Sequence, residues 1–581
     1  MSIYDKASLV LIPSGTKTSK VYSQKPVNGD GDFTFSRSTA ATRVNASGNI
    51  EKETQNLLLQ SNKFDTTWGN SNTTETGGQA GYDGSSDAWL LTSTAGGGAI
   101  GQSISSSGVQ TFSVYAKSGT LNWMAFTISG LSPSQAYFDL QNGALGSSGS
   151  EIITSNIESV GGGWYRCSVL VNGAASGVNI YPANANNQVG VTGNIVIQDA
   201  QLEQGLVARD VLTTTTAAVE GGITDNVPRL DYTDSSCPAL LLEPQRTNLL
   251  AHSEYLDGSG WNKTSGGTGS TPITTINTNE TLSPESVYNA TKIVFNSGSG
   301  TTTGDLSLIE GVVAISAGTD ASTSIWLKGE NGGEQLHMRG VSNGSFSIIT
   351  LTTEWQQFTT SENSSTTTDS LQFGIRQNVS GLGIINSNAT IYAFGAQIEE
   401  GSYATSYIPT YGTSVTRIKE ICEVTSAEDL IGQTEGTIAG EFNYDSGEPT
   451  NRLFSITGAD WNTIGSIRFD IISLKPQATI RANGGEPAKI IGTQDINVGT
   501  LVKFAVVYTS TTLKLFVNGA QIGSTATLTG SLPSTLDEIR INALGGGFVS
   551  DTQNNQLNPY KQALVFKTAL TDQEAIDLTT I

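Results

Sequence analysis

The stretch AQLEQG, residues 200–205, returns later in the chain as AQIEEG, residues 396–401. The two hexapeptides do not stand alone, because TQNLLLQSNKFDTTWGN at 54–70 aligns with RTNLLAHSEYLDGSGWNK at 246–263. Landmarks that recur in the same order at nearly equal spacing indicate a duplicated module. The glutamate in the hexapeptide is therefore first of all a marker of the repeat.

Each copy carries the pattern of an antiparallel sandwich. FSVYAKSG at 112–119 aligns with TSIWLKGE at 323–330, and in the first of these apolar and polar residues alternate with period two. Clusters of Gly, Ser and Pro between such segments predict turns. We therefore predict two jelly-roll β-sandwiches joined by a linker. Their positions are 54–210 for the first module, 211–245 for the linker and 246–417 for the second module.

The last part of the chain, 418–581, predicts a different sandwich. KFAVVYTSTTLKLFVNGAQIGS at 503–524 contains two strand patterns and then Asn518-Gly519, a strong hairpin signal. Close to the end of the sequence, Thr571 and Glu574 form a capping box that opens one short helix. The predicted fold class is therefore all-β, with tandem sandwiches and one short terminal helix.

Composition narrows the range of partners. Of the 581 residues 66 are Gly and only 14% are charged, and the formal net charge is −22. So acidic a chain would be repelled by a duplex or an anionic membrane, and we expect no nucleic-acid partner and no membrane insertion. The apolar stretch from Leu9 to Ile12 ends at Pro13, too early for a signal peptide or a membrane span.

The sequence shows no recognisable metal centre. The three cysteines are far apart and form no CxxC pair. His252 and His337 have no second ligand type nearby at a metal-binding spacing. Asp and Asn in the loops could hold a structural Ca²⁺, but no EF-hand run exists, so we name no metal ligands and expect no other cofactor.

The repeated acidic residues raise the question of catalysis. In IVIQDAQLEQG, strict alternation places Asp199 and Glu203 on one face, but four residues of strand span about 13 Å, too far for a glycosidase pair. The second copy has Gly395 where the first has Asp199. We therefore predict no catalytic residues, and a structural role in which Glu203 and Glu399 accept backbone N–H groups of the following turn. Strict alternation also turns a set of apolar residues toward the cores: Val196, Ala200, Leu202, Tyr392, Phe394, Ala396 and Ile398.

Three stretches carry a resemblance to a known family. KASLVLIPSGTKTSKVYSQKPVNGDGDFTFSRSTAATRVNASGNIEKETQNLL at 6–58 resembles the start of bacteriophage virion proteins of the head-spike-fibre type. NVPRLDYTDSSCPALLLEPQRTNLL at 226–250 resembles the leader of their carbohydrate-binding-module-like jelly rolls, and AQIEEGSYATSYIPTYGTSVTR at 396–417 the end of one. LKLFVNGAQIGS at 513–524 is similar to laminin-G or concanavalin-like lectin sandwiches.

The resemblance implies a structural component on the outside of a phage particle, synthesised in the cytoplasm of a bacterial host. It implies a homo-oligomer, with a trimer favoured, that docks onto other virion proteins through an N-terminal attachment segment, 1–53. It also implies modules that contact host-surface glycans. The position on the particle, head or tail, is left open.

A glycan site needs an aromatic plate beside hydrogen-bonding side chains, on the face that the core does not use. An aromatic residue and a cation recur on the same side of the same strand in both modules. The candidate glycan-binding residues are Tyr115, Lys117, Trp164, Arg166, Trp326, Lys328 and Trp355. The alternative is that this face is covered and the rings are packed within the protein, and we predict packing for Trp68 and Trp261.

Two readings of the function differ in class. The first is a virion structural protein that uses its modules as spacers and decoration. The second is a lectin-like receptor binder or adhesin that grips a polysaccharide. A polysaccharide depolymerase is the third and least supported, and we expect no enzymatic activity.

Overall fold

The computed structural model of the protein describes residues 2–340, 344–447, 449–458, 465–533, 535–542 and 557–581. Within these ranges the chain is built from antiparallel sheets, with a short helix near each end and one 3-10 turn at Val379–Gly381. The all-β fold class is confirmed. Thr571 and Glu574 form the predicted capping box, and Asn518 and Gly519 have the positive φ angles of a tight hairpin turn.

The N-terminal segment contains one helix and several short strands. Their bounds are α1 (Ile3–Lys6), β1 (Leu9–Leu11), β2 (Thr16–Lys17), β3 (Lys20–Val21), β4 (Phe33–Ser36), β5 (Arg43–Val44), β6 (Ile50–Glu51) and β7 (Thr54–Asn56).

The first module is a sandwich of two six-stranded sheets. Its strands are β8 (Gly69–Ser71), β9 (Thr73–Gln79), β10 (Ala88–Ser93), β11 (Ala99–Ser106), β12 (Val109–Ser118), β13 (Trp123–Ser129), β14 (Gln135–Asp139), β15 (Ala144–Ser148), β16 (Ile152–Gly161), β17 (Trp164–Asn172), β18 (Ala175–Ala183) and β19 (Gly193–Gln204). The sheet orders are β16-β17-β12-β19-β10-β9 and β15-β14-β13-β18-β11-β8. Phe112, Phe126 and Phe138 pack between the sheets.

The second module repeats the plan with two five-stranded sheets. The connecting strands before it are β20 (Val219–Gly221), β21 (Arg229–Asp231), β22 (Ala239–Leu241) and β23 (Arg246–Asn248). Its own strands are β24 (Trp261–Gly266), β25 (Ser270–Thr275), β26 (Thr291–Asn296), β27 (Leu306–Ala314), β28 (Asp320–Gly329), β29 (Gln335–Arg339), β30 (Ser347–Thr350), β31 (Gln356–Asn363), β32 (Thr368–Arg376) and β33 (Asn388–Glu400). The sheet orders are β24-β27-β32-β29-β30 and β25-β26-β33-β28-β31.

The C-terminal sandwich is the largest unit. Before it, β34 (Val415–Arg417) pairs with β23 in a separate two-stranded sheet. The elements of the sandwich are β35 (Ile421–Thr425), β36 (Glu435–Tyr444), β37 (Thr450–Thr457), β38 (Ser466–Ile472), β39 (Lys475–Ala482), β40 (Gly485–Ile491), β41 (Thr500–Thr509), β42 (Thr512–Val517), β43 (Ala520–Thr527), β44 (Glu538–Ile541), β45 (Tyr560–Phe566) and α2 (Asp572–Thr579). One sheet has the order β21-β22-β45-β36-β41-β42-β43, with β1 also on β45. The other has the order β2-β3-β4-β35-β44-β37-β38-β39-β40.

Strands from the N-terminal segment and from the linker complete this C-terminal sandwich. Leu9 of β1 lies opposite Val565, and Phe35 of β4 lies opposite Cys422. Phe35 is buried in the same core as Phe454. The sequence pattern predicts 1–53 and 211–245 as separate segments, because it does not reveal that their strands pair with residues hundreds of positions away. The two ends of the chain therefore meet in one core.

A buried ion network fixes the junction between the second module and this sandwich. Arg229 pairs with Glu243 at 2.8 Å and also with Glu420. Glu420 pairs with Arg37 at 2.8 Å, and Glu243 pairs with Arg417 at 2.8 Å. Burial alone would raise the pKa of Glu243, but Arg417 and Arg229 outweigh it and hold the pKa at about 2. Three arginines in the junction therefore share two carboxylates, and each arginine has at least one buried acidic partner.

The last strand of each module carries a bulge that the sequence pattern did not reveal. Asp199 in β19 and Gly395 in β33 have φ angles of 49° and 63°, and the pairing register with the neighbouring strand shifts there. A bulge adds one residue to one strand, so the alternation of faces is reset. The predicted core positions of Val196, Tyr392 and Phe394 are therefore wrong, because all three lie on the opposite face. The apolar residues that face the cores are Ile195, Ile197, Ala200 and Leu202 in β19, and Ile391, Ala393, Ala396 and Ile398 in β33.

A buried asparagine closes each module in the same way. The side-chain amide of Asn248 donates to the carbonyls of Ala396 (3.2 Å) and Ile408 (2.8 Å), and its oxygen accepts from the N–H groups of Leu250 and Ile398 at 3.2 Å. In the first module Asn56 makes the corresponding four hydrogen bonds, with Ala200, Leu212, Leu58 and Leu202. The leader, the last strand and the segment after it are thus held at one point.

The two tryptophans that follow the leader pack in the cores, as predicted. Trp68 donates its indole N–H to the carbonyl of Gln60 at 3.0 Å, and Trp261 donates to His252 at 2.7 Å. Both rings are buried. Their recurrence therefore reports core packing.

Candidate functional site

The recurring glutamates end the last strand of each module and are buried. Glu203 accepts hydrogen bonds from the backbone N–H of Arg209 at 3.0 Å and from the amide of Gln201 at 2.7 Å. Glu399 accepts from the backbone N–H of Thr405 at 2.8 Å. Burial raises the pKa of both carboxyl groups. The predicted bonding to the following turn is confirmed.

In the first module the predicted aromatic plate is already occupied by the protein. Tyr115 lies opposite Arg166, and Lys117 lies opposite Trp164, so the four residues do share one face. Tyr82, from the loop after β9, stacks on Tyr115 with ring centroids 3.7 Å apart and planes 5° apart. Tyr115 is 8% exposed and Trp164 is 3% exposed. Tyr115 and Trp164 are therefore packed within the protein, as the alternative of a covered face expects, because sequence alternation assigns a face but not what covers it.

In the second module the predicted residues are half-buried. Trp326 and Trp355 both pack against a cluster that contains Ile50, from the N-terminal segment, and Tyr407. Lys328 is half-buried on the same strand as Trp326. A glycan contact by these three residues stays a prediction.

A cavity of about 200 Å³ lies beside Trp326, where the second module meets the C-terminal sandwich. Asp231, Asp234 and Asp445 also line it. Burial, followed by the nearby Asp234, raises the pKa of Asp445 to about 6. Trp326 is therefore the candidate residue with the best access to a ligand-sized space.

The second sheet of the C-terminal sandwich carries a layer of polar side chains on the side that faces away from the core, and most of these side chains are buried. Across β37, β38 and β39, Arg452 lies opposite Asp470, which lies opposite Gln477. In the next row Arg468 lies between Ser455 and Thr479. We call this layer of side chains the polar grid. Its members are Arg452, Ser455, Thr457, Ser466, Arg468, Asp470, Gln477, Thr479 and Arg481.

The centre of the polar grid is a carboxylate held by two arginines. One oxygen of Asp470, Oδ2, pairs with Nη1 of Arg452 at 2.9 Å and with Nε of Arg468 at 2.7 Å. Asp470 is fully buried and Arg468 is 4% exposed. Such sharing fixes the side chains in one arrangement before any ligand arrives.

The polar grid contains buried polar atoms that have no hydrogen-bond partner within the described part of the chain. They are Nε of Arg452, Oγ of Ser466, Nη1 of Arg468, Oδ1 of Asp470, Oε1 of Gln477 and Oγ1 of Thr479. A buried polar group without a partner costs about 1–3 kcal/mol. Ordered water or the hydroxyl groups of a ligand would satisfy these atoms.

The sequence did carry a signal for the polar grid. In SIRFDII, 466–472, and PQATIRA, 476–482, polar residues alternate with core residues on adjacent strands. Charged side chains on the outer face of a strand are normally solvated, so the alternation alone predicts a surface. What it does not reveal is that the polar side chains are buried and only partly bonded.

No cofactor site stands out in the structure. Across the described ranges, no group of three or more His, Cys, Asp or Glu side chains is placed to hold a metal ion. The three cysteines are free. None of the helices in those ranges is long and apolar enough to cross a membrane.

Comparison with known proteins identifies the C-terminal unit. Residues 423–575 match the family model described as the concanavalin A-like lectin/glucanases superfamily, laminin-G type. No curated protein matches the sequence.

Solved structures with similar parts include a Ruminococcus gnavus IT-sialidase CBM40 bound to α2,3-sialyllactose, with 15% identity, 26% of this chain and 84% of that chain covered, and a TM-score of 0.23. Domain 4 of a GH43 extracellular arabinanase from Geobacillus stearothermophilus, in complex with arabinotriose, has 11% identity, coverage of 28% and 73%, and a TM-score of 0.22. A heptameric SAP-like pentraxin from Limulus polyphemus has 16% identity, coverage of 25% and 70%, and a TM-score of 0.20. Their ligands are properties of those proteins. The C-terminal part of this chain is a concanavalin-like sandwich that follows two further β-sandwiches.

Proposed function

We propose that the protein binds glycans, with its main sugar site on the polar grid of the C-terminal sandwich. The observation that carries the proposal is the set of buried, unpartnered donors and acceptors around Asp470, in a unit that matches a lectin and glucanase superfamily. Sugar hydroxyl groups both donate and accept hydrogen bonds, so they complement guanidinium, carboxylate and amide groups placed side by side. The polar grid is also preorganised, which reduces the ordering cost of binding.

The test exploits the same unpartnered atoms. Gln477→Leu and Thr479→Val remove two of them, which leaves the free protein equally stable or slightly more stable. The same double variant should lose glycan binding by at least tenfold on a glycan array and in titration calorimetry. Thr525→Val, an exposed hydroxyl on the other sheet, is the matched control and should bind normally. Unchanged glycan binding by the double variant would show that the polar grid is filled by water only.

One observation favours hydrolysis as a second function. Glu423 and Glu538 lie diagonally on the adjacent strands β35 and β44, a spacing of about 7–8 Å that is compatible with a glycosidase pair. Burial raises the pKa of Glu423, as a general acid requires. However, the Arg540 guanidinium pairs with both carboxylates, at 2.8 and 3.3 Å.

We propose binding without cleavage, because a carboxyl group tied to an arginine is a poor proton donor. Incubation of a bound glycan with the protein should release no new reducing ends. Release that disappears in Glu423→Gln would establish the hydrolytic function instead.

We further propose that the protein is displayed on the outside of a phage particle as a homo-oligomer, with a trimer favoured. The support is the resemblance of 6–58 and 226–250 to virion proteins of the head-spike-fibre type. Immunogold labelling of intact particles should mark a regular set of positions, and light scattering should give three times the mass of 60.9 kDa. A monomer that is absent from purified particles would contradict this proposal.

A further inference from the structure

A second cavity, of about 480 Å³, lies between the two repeated modules and is separate from the polar grid. The first module contributes Gln55, Asn172 and Gln204, the second module contributes His252, and the N-terminal segment contributes Glu53. We call this cavity the inter-module cleft. Its volume suits a ligand of monosaccharide size.

The inter-module cleft is preformed by a close contact between the modules. The N–H of Val109 donates to the carbonyl of Tyr411 at 2.7 Å. Gly108 has a φ of 84°, and a Cβ on it would lie only 1.8 Å from the carbonyl oxygen of Tyr411. Only glycine therefore fits at this position. Lys52 strengthens the contact by pairing with Glu254 at 2.7 Å and Glu285 at 2.8 Å. A ligand would therefore meet walls that are already in place.

The charge in the inter-module cleft is unbalanced. Among the described residues that line it, Glu53 is the one carboxylic acid, and none is Lys or Arg. Burial first, and then Glu220 and Asp225, raise the pKa of Glu53 to about 7, while Arg37 acts in the opposite direction. No hydrogen bond from the described residues reaches this carboxylate. An anion would be repelled here, whereas a cation would relieve the repulsion among the three acidic groups.

An independent observation indicates a missing polar partner in the same cavity. His252 lines the inter-module cleft and is 2% exposed, and its Nδ1 has no hydrogen-bond partner in the described ranges. Burial lowers the pKa of His252, which disfavours a positive charge on the ring. The amides of Gln55, Gln204 and Asn172 supply donors and acceptors around it.

We propose that the inter-module cleft binds a small polar ligand that carries a primary ammonium group, such as an aminodeoxy sugar. Glu53 is the counterion of the ammonium group, and the amides and His252 bond to hydroxyl groups. A bound cation stabilises the ionised form of Glu53, so binding releases a proton from the fraction of Glu53 that is protonated in the free protein. Affinity therefore rises with pH from 6 to 8, by roughly tenfold for one carboxyl group that titrates in this interval.

The experiment uses the full chain and titration calorimetry at pH 6, 7 and 8. The probe is 6-amino-6-deoxyglucose, whose amine stays protonated over this range, and glucose is its neutral counterpart. The amino sugar should bind at least tenfold tighter than glucose at pH 8, and the difference should shrink at pH 6. The proposal would be overturned if the two sugars bound equally well. It would also be overturned if the amino sugar did not bind at concentrations 10-fold above those at which lectins ordinarily bind their ligands.

Variants separate this site from the polar grid. Glu53→Gln should remove both the preference for the amine and its pH dependence. Glu220→Gln removes a charge outside the cleft, so amine binding should persist, with its pH dependence moved to lower pH. Glu158→Gln, an exposed carboxylate of the first module, is the control and should behave as the original protein. If neither Glu53→Gln nor Glu220→Gln changed amine binding, the assignment would be overturned. Gln477→Leu, which alters the polar grid, should leave amine binding unchanged.

Discussion

Replacing Asn248 by alanine should destabilise the end of the second module strongly. The side chain makes four hydrogen bonds with backbone groups, at 2.8–3.2 Å. Alanine would leave the N–H groups of Leu250 and Ile398 and the carbonyls of Ala396 and Ile408 without these partners. At about 1 kcal/mol for each bond, the low end of the usual range, the loss is about 4 kcal/mol.

Hydrogen exchange measured by mass spectrometry is the suitable assay, because it reports local opening without assuming two-state unfolding of the whole chain. A loss of about 4 kcal/mol corresponds to roughly thousandfold faster exchange in peptides that contain Leu250 and Ile398. Asn56→Ala should produce the same effect in the first module, around Leu58 and Leu202.

The control is Asn388→Ala, at an exposed position at the start of β33, the strand that also contains Ile398. It should change exchange by less than about threefold, since surface substitutions usually cost under about 0.5 kcal/mol. If Asn248→Ala changed protection by less than tenfold, the buried asparagine would not be what closes the module, and the explanation of the repeat would fail.

Three further predictions follow from other contacts. Glu243→Gln should lower the free energy of unfolding by about 3–5 kcal/mol at pH 7, measured by chemical denaturation, because it leaves Arg229 and Arg417 short of a buried partner. Since the pKa of Glu243 in the folded protein is about 2, its contribution to stability is present above pH 4.5 and is lost as the pH falls toward 2. Glu53→Gln should raise the free energy of unfolding at pH 8 by up to about 2 kcal/mol, allowing for solvent screening, and should have little effect at pH 4. The reason is that a raised pKa makes the ionised carboxylate unfavourable in the folded state. A thermal melt at both pH values measures the difference. Gly395→Val should lower the melting temperature and cost about 2 kcal/mol, because φ is 63° there, whereas Gly395→Asn should be tolerated.

The sequence repeat reflects hydrogen bonding inside each copy. Asn56 and Asn248, and the glutamates Glu203 and Glu399, make the same contacts in both copies, so the chain has to keep them at the same spacing. Alternation also predicted correctly which side of β12 and β28 faces the core. It failed at Asp199 and Gly395, because a bulge depends on the register with a neighbouring strand and leaves no fixed pattern in the sequence.

The sites were harder to predict because they depend on contacts between distant segments. Tyr82 lies in a loop 33 positions before Tyr115, and nothing in the sequence of that loop or of β12 shows that the two rings stack. In the same way, the inter-module cleft forms only when Glu53, Gln204 and His252 are brought together by the fold. The N-terminal strands could not be assigned to the C-terminal sandwich, since short strands give no information about a partner so far along the chain.

The most direct test of the central claim is a crystal structure of the protein with the tightest-binding glycan from an array. We expect sugar hydroxyl groups within hydrogen-bond distance of Arg468, Asp470 and Gln477, at the atoms that have no hydrogen-bond partner among the described residues. A glycan bound elsewhere, with only ordered water on the polar grid, would contradict it.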